Sequence, residues 1–462
     1  MTAIAHGAAP AVSAVPSASV ALSIPPLDFR ERTLANGLRV VAVEDRSSPT
    51  VSVQVWYGVG GKDDPAGRSG FAHLFEHLMF KSTKHLASEQ FDRLTEDVGG
   101  SNNASTREDI TNYFAVVPSN HLQRLLWAEA ERMSNLDVNE ANFRSERAVV
   151  QEEYRQHVLA DPYGRFFEAL APRSYAVHPY RRGVIGNIAE LDAASLDDVR
   201  AFHATFYRPD NALLLVAGDF DSKELDGWID RYFGAIPRPS TPIPRVTVAE
   251  PPRTRDVTYR ETGPSVPLPA VALTWLGPPA RSPDAAALRV AAALLASGDS
   301  SRLHESLVYR RQIAQQAGFS LDPTLDAGLI VAYAIGAKGS APAALAIALN
   351  GEIERLAKGP IAAEELAKVK LQLVTHALEE RETPIGKAMA LGDAVVYRGD
   401  ASYANRDLDE LAAVTAADVQ RVLRKYVLDG KRVTIEYTQE GKRAAKSAAT
   451  KAGGRNASAG AP

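Results

Sequence analysis

An α+β protein of two homologous domains, each a mostly antiparallel sheet flanked by helices, is the architecture this sequence predicts, and three features predict it. The first is an internal repeat. Glu190-Leu191-x-Ala193-x-Ser195-x-x-Asp198-Val199 returns as Glu410-Leu411-x-Ala413-x-Thr415-x-x-Asp418-Val419, displaced by 220 residues. In each copy a hydroxyl residue stands three before an aspartate, the pattern that opens a helix, and a strand-like run follows at 212–217 and 432–437. The second feature is period-two alternation: residues 51–57 read as a strand and recur at 271–277, at the same displacement. The third is the stretch 237–253, whose six prolines mark an extended linker. The expected division is a flexible tail over 1–28, one domain over 29–236, the linker, a homologous domain over 254–440, and a flexible tail over 441–462.

The elements follow in order. Residues 1–23 are rich in Ala, Ser, Val and Pro and carry no Lys, Arg, Asp or Glu, so they lack the basic start of a secretory signal and read as a tail. Segments 29–34 and 38–43 flank Asn36-Gly37, which predicts a hairpin closed by a two-residue turn. A third strand over 51–57 gives way to a Gly-rich connection, 58–70, that leads into a helix. A short helix is expected over 88–98, a break at Gly99-Gly100, a strand over 112–117, and helices over 122–133 and 142–155.

Composition removes several functions. With 462 residues, 45% hydrophobic and 23% charged, the chain can bury ordinary cores in two domains or more. No run of 18 apolar residues is present, so no membrane span is expected. A formal charge of −4 argues against a nucleic-acid partner, which a basic surface would serve. The absence of cysteine removes disulfides, thiolate ligands and thiol nucleophiles. A soluble protein is expected, and without a visible signal the cytoplasm is favoured over the periplasm.

The chemistry concentrates in residues 71–80, which hold His73, Glu76 and His77 as His-x-x-Glu-His. Four residues apart on a helix, the two histidines share a face and can aim ring nitrogens at one metal ion. Glu76, at the edge of that face, can reach a water at the metal without binding the metal, as a general base must. A lone histidine on an apolar helix is usually a core residue, the reading that suits His121 and His203. A chance match of this five-residue pattern is on the order of one per cent, which favours the metal. A third ligand is needed, and the helix expected over 142–155 offers Glu146 and Glu153, seven residues apart on one face. Spacing does not choose between Glu153 and its neighbour Glu152.

His73-x-x-Glu76-His77, followed 76 residues later by Glu153 within Glu-Arg-Ala-Val-Val-Gln-Glu-Glu, resembles the pitrilysin-type (inverted zincin) metallopeptidases, in particular the two-domain bacterial proteins related to mitochondrial processing peptidase. The resemblance implies one Zn2+ per chain held by His73, His77 and Glu153, with Glu76 as base and Glu146 supporting a ligand from behind. Gly99-Gly-Ser-Asn-Asn-Ala-Ser-Thr106 is similar to the family's Gly-Gly-x-x-Asn-Ala-x-Thr run, which implies that Asn103 and Ala104 bind the substrate backbone at a sheet edge. In the second copy, Ala293, Ala296 and Ser297 stand where the first has His73, Glu76 and His77, so one metal site is expected. Relatives carry an arginine and a tyrosine after the run matched here by Ser300-Ser301-Arg302-Leu303 and Leu307; this chain has Val308 and Gln315 at those places. The resemblance therefore implies a zinc endopeptidase of extended peptides, the zinc-carrying subunit of a heterodimer whose homologous partner supplies the Arg/Tyr pair. The alternatives are a non-catalytic assembly subunit, against which the full set of ligands and base argues, and a peptide-binding protein.

Overall fold

A computed structural model describes residues 25–441. The tails expected at 1–28 and 441–462 lie, but for residues 25–28 and 441, outside the described residues.

The first half builds a six-stranded sheet from β1 (Arg30–Thr33), β2 (Arg39–Glu44), β3 (Thr50–Tyr57), β4 (Ser101–Thr106), β5 (Thr111–Pro118) and β6 (Ala212–Gly218), in the order β1-β2-β6-β3-β5-β4. Only β2 and β6 run parallel. The β1–β2 connection is longer than the expected two-residue turn: Gly37 N–H donates to the Leu34 carbonyl at 2.9 Å and Leu34 N–H to the Leu38 carbonyl at 2.9 Å, with Gly37 at φ +93°. The reason is Asn36, whose buried side-chain amide donates to the Phe233 and Ile236 carbonyls at 2.8 and 3.0 Å and so ties the hairpin to the end of the helix Ser222–Phe233.

The second half repeats the plan with β7 (Val257–Gly263), β8 (Ala270–Gly277), β9 (Ala314–Asp322), β10 (Gly328–Gly336) and β11 (Val433–Gln439), ordered β7-β11-β8-β10-β9. Strand for strand this is β2-β6-β3-β5-β4, down to a single parallel pair, β7 with β11, in the same place. The helices that precede β6 and β11 open with matching capping boxes, Ser195 with Asp198 and Thr415 with Asp418. The fold is thus α+β, with two mixed sheets flanked by helices.

Each sheet buries its front face under helices of its own half. Phe71, Phe75, Leu125, Val199 and Leu225 lie on the first, and Leu288, Leu294, Leu349 and Val419 on the second. The back faces are exchanged. Helix Pro384–Arg398, from the second half, lays Ala388, Leu391, Ala394 and Val395 against Val41, Val43, Trp56, Leu213 and Leu215 of the first sheet. In return the short helices Gly164–Glu168 and Leu170–Ser174 place Phe166 against Ala270, Ala272, Val433 and Ile435 of the second. The exchanged segments begin at 164 and 384, again 220 apart. Each sheet is therefore sandwiched only in the presence of the other half, which is why β3 and β8 are buried almost end to end rather than alternately. Among the described residues no helix is long and apolar enough to cross a membrane.

Candidate metal centre

Helix Phe71–Leu78 carries the His-x-x-Glu-His residues on the front of the first sheet. Phe71, Ala72, Leu74, Phe75 and Leu78 are buried and fix its rotation, leaving His73, Glu76 and His77 on the remaining stripe. Its start is set by Asp64, whose carboxylate accepts from the Gly70 and Ala72 N–H groups at 2.6 and 2.9 Å, satisfying donors the helix cannot pair itself. Gly70 allows the entry turn, at φ +90°.

The two imidazoles stand perpendicular, their centroids 4.9 Å apart. Nε2 of His73 and Nε2 of His77 lie 3.6 and 3.5 Å from one atom, Oε2 of Glu153, which projects from helix Glu140–Tyr154 packed alongside. All three donor atoms fall within 4.8 Å of one another. A tetrahedral zinc with bonds of about 2.0–2.2 Å sets its donors about 3.4 Å apart, close to the separation of the Glu153 oxygen from each histidine nitrogen. Burial, reinforced by the neighbouring His77, pushes the His73 pKa down to about 4, so this ring is neutral, as a ligand must be. Among the described residues no other group of three such donors converges.

Glu152 is turned away: its carboxylate accepts from Arg155 and Gln156 at 3.2 and 3.3 Å and is 55% exposed. Glu146 faces Nδ1 of His77 at 3.6 Å, and its other oxygen accepts from Lys81 Nζ at 2.8 Å and Ser145 Oγ at 3.0 Å. Burial works against the Glu146 charge, but His77, Lys81 and Ser145 outweigh it and hold the carboxyl below its usual range. For His77 burial opposes protonation, and the Glu146, Glu153 and Glu76 carboxylates overcome it, raising the pKa. Lys81 was not singled out by the sequence reading, although its signal was there, four residues after His77 on the same face.

Glu76 lies beside the donors rather than among them. Burial raises its pKa, and a hydrogen bond donated by Thr106 Oγ1 to Oε2, at 2.6 Å, partly offsets this. Thr106 ends β4, the outermost strand of the sheet, which also holds Asn103 and Ala104. Arg107 N–H bonds to the Ile110 carbonyl at 2.8 Å, so by the alternation of an antiparallel ladder the main chain of Asn102, Ala104 and Thr106 faces the free edge. There Ala104 N–H donates to the amide oxygen of Asn103 at 2.8 Å.

The second half offers no counterpart. Ala293 is buried, Ala296 is partly buried, and Ser297 closes the apolar helix Ala285–Ala296. Val308 packs against the second core, and Gln315 is exposed on the edge strand β9. Arg302 is held by Glu365 at 2.7 Å, and Arg310 by Glu305 at 2.5 Å. A cavity of about 770 Å³ lies away from this centre, behind the first sheet, between helix Pro384–Arg398 and the second half, lined by Arg107, Phe114, Arg289, Met389 and Asp393.

Comparison with known proteins points the same way. Residues 39–187 match the family described as insulinase (peptidase family M16), and residues 193–373 match the peptidase M16 inactive domain. The chain is 33% identical over 414 residues to zinc protease PqqE of Helicobacter pylori, covering 87% of this chain and 91% of that protein. It is 25% identical over 410 residues to a probable mitochondrial-processing peptidase subunit beta of Arabidopsis thaliana, covering 87% and 77%. The crystal structure of a protease from Helicobacter pylori superposes with a TM-score of 0.85 at 31% identity, covering 90% of this chain and 100% of that one. Two matched halves, and a relative of this identity along most of both chains, lead to one conclusion: the chain belongs to the M16 (insulinase/pitrilysin) peptidase family and is a zinc metalloprotease.

Proposed function

We propose that this chain is an endopeptidase of extended or unfolded peptides, binding one zinc ion through His73, His77 and Glu153. The observation that carries the reading is the single Glu153 oxygen set 3.6 and 3.5 Å from both histidine Nε2 atoms. Zinc held there would acidify a water and polarise the scissile carbonyl. Glu76, outside the ligand set and made more basic by burial, takes a proton from the attacking water. As the water oxygen bonds to the carbonyl carbon and the C–N bond breaks, the same carboxyl returns a proton to the amine nitrogen. Glu146 orients His77, with Lys81 neutralising its charge. A peptide adds as a strand to the free edge of β4 through the main chain of Ala104, which requires the Asn103 amide to release the Ala104 N–H. The test is Glu76→Gln: zinc content should stay at one per chain while hydrolysis falls by at least about 10²-fold. Retained turnover would remove Glu76 from its role.

The reading extends to a two-chain peptidase. Val308 is an apolar side chain packed against the second core and Gln315 is uncharged, so neither gives the developing oxyanion a cation or a phenol. Loss of one such donor typically costs about 10²–10³ in turnover. A homologous chain bearing the Arg/Tyr pair would restore it. Weak activity alone and strong activation on titrating in such a homologue is the expected result; full activity of the lone chain would end this extension.

A further inference from the structure

We infer that Thr106 is a positioning residue for the general base, and that it ties the base to the strand on which substrate is laid. The inference rests on the function proposed above and goes one step past it.

A glutamate side chain on a half-buried helix stripe still has several rotamers. In some of them Glu76 would point to solvent, and in others it would compete with His73 and His77 as a metal ligand. One contact selects among them. Thr106 Oγ1 donates to Glu76 Oε2 at 2.6 Å, the length of a hydrogen bond to an ionised acceptor, and the Thr106 main chain is turned to the same carboxylate. With Oε2 held, Oε1 is left to exchange the proton.

The holder is itself rigid. Thr106 is β-branched, with few χ1 choices, and pairs with Thr111, whose hydroxyl donates to the Val59 carbonyl at 3.0 Å. On its far side Arg107 donates to the Ile110 carbonyl at 2.8 Å and accepts from Gly61 N–H at 3.0 Å. The same strand presents Ala104 to the free edge two residues earlier, roughly 7 Å away along the strand. A peptide paired with Ala104 is therefore set in register with the base through two residues of fixed backbone. Neither Glu76 nor the substrate needs to find the other.

Thr106→Val keeps the shape and removes the donor, whereas Thr106→Ser keeps the donor. In the wild-type chain, with Glu76→Gln as the inactive control, Thr106→Val should lower kcat about 10–100-fold, with zinc content unchanged and KM within about 2-fold. Thr106→Ser should recover most of that loss. Should the valine variant fail to fold, Thr106→Ala carries the same expectation. Thr106→Val activity within about 2-fold of wild type, while Glu76→Gln is inactive, overturns the inference and leaves the proposed function standing. Equal losses in the valine and serine variants, or a fall in zinc content, make Thr106 merely structural and overturn it too. Absence of any Glu76-dependent hydrolysis in the wild type overturns the proposed function, and the inference with it.

Discussion

The exchange of back-face helices can be tested at one glycine. Gly392 lies in the middle of helix Pro384–Arg398, over the indole of Trp56. A Cβ at 392 would sit 2.6, 2.7 and 2.8 Å from three ring atoms, about 1 Å inside ordinary carbon–carbon contact. The ring has nowhere to go: Trp56 is 1% exposed, and its Nε1–H donates to Gln54 Oε1 at 2.9 Å, while Gln54 itself donates to the Ile385 carbonyl. Gly392→Val must therefore lift the helix and loosen Ala388, Leu391 and Ala394 from the sheet. Overpacking of this kind costs about 1–3 kcal/mol, and the helix propensity gained by removing glycine returns less than about 1 kcal/mol. A net loss of about 1–2 kcal/mol is expected. The assay is urea unfolding followed by tryptophan fluorescence, with Trp56 in the first half and Trp275 in the second as buried reporters. A single transition at lower urea, reported by both halves, is the expected result. An unchanged or raised midpoint, as helix propensity alone would give, refutes the close approach. Two separated transitions refute the mutual burial of the sheets.

Two further results are expected. Glu153→Gln should weaken zinc affinity by more than about 100-fold in a chelator competition, since even outer supporting groups cost 10–100-fold, while Glu152→Gln should leave it near wild type. Asp45, just past the end of the inner strand β2, is paired with Lys387 of the exchanged helix; that hydrogen bond first, and the Ser47 N–H next, outweigh burial and hold its pKa down to about 2 from an ordinary 3.8. Because the folded value is depressed, this pair contributes stability above about pH 4 and loses it as the pH falls towards about 2. Asp45→Asn should remove that part of the acid dependence of Tm, and an unaltered profile would show that the pair contributes nothing.

The sequence made the duplication legible because its signals are local. Capping residues, strand alternation and the spacing of 220 each depend on a few neighbours, and they reappear as two sheets of matching order. The exchange of helices was not legible: the pattern of 384–398 says that one face is apolar, but not which sheet it covers. Long-range contacts such as the Trp56–Gly392 approach and the Asp45–Lys387 pair encode the choice, and those residues are far apart in sequence. The Glu152/Glu153 choice was hidden for a similar reason. A rotation of about 100° separates the two, and the packing of Phe143, Glu146 and Val150, which fixes it, becomes visible only once the helices are docked. The hairpin turn lengthened because Asn36 serves a distant helix end, a contact no local turn rule contains. Thr106 and Lys81 went unassigned since a hydroxyl at a strand end and a lysine on a helix are ordinary in sequence; their partners, Glu76 and Glu146, give them meaning.

The central claim is that His73, His77 and Glu153 hold one zinc ion, and anomalous diffraction at the zinc edge tests it most directly. One peak per chain is predicted, about 2.0–2.2 Å from Nε2 of His73, Nε2 of His77 and a carboxylate oxygen of Glu153, with Glu76 beside it and unbound. A peak ligated by Glu152 or Glu76 in place of Glu153, or no peak at these residues in zinc-loaded crystals, would contradict the account.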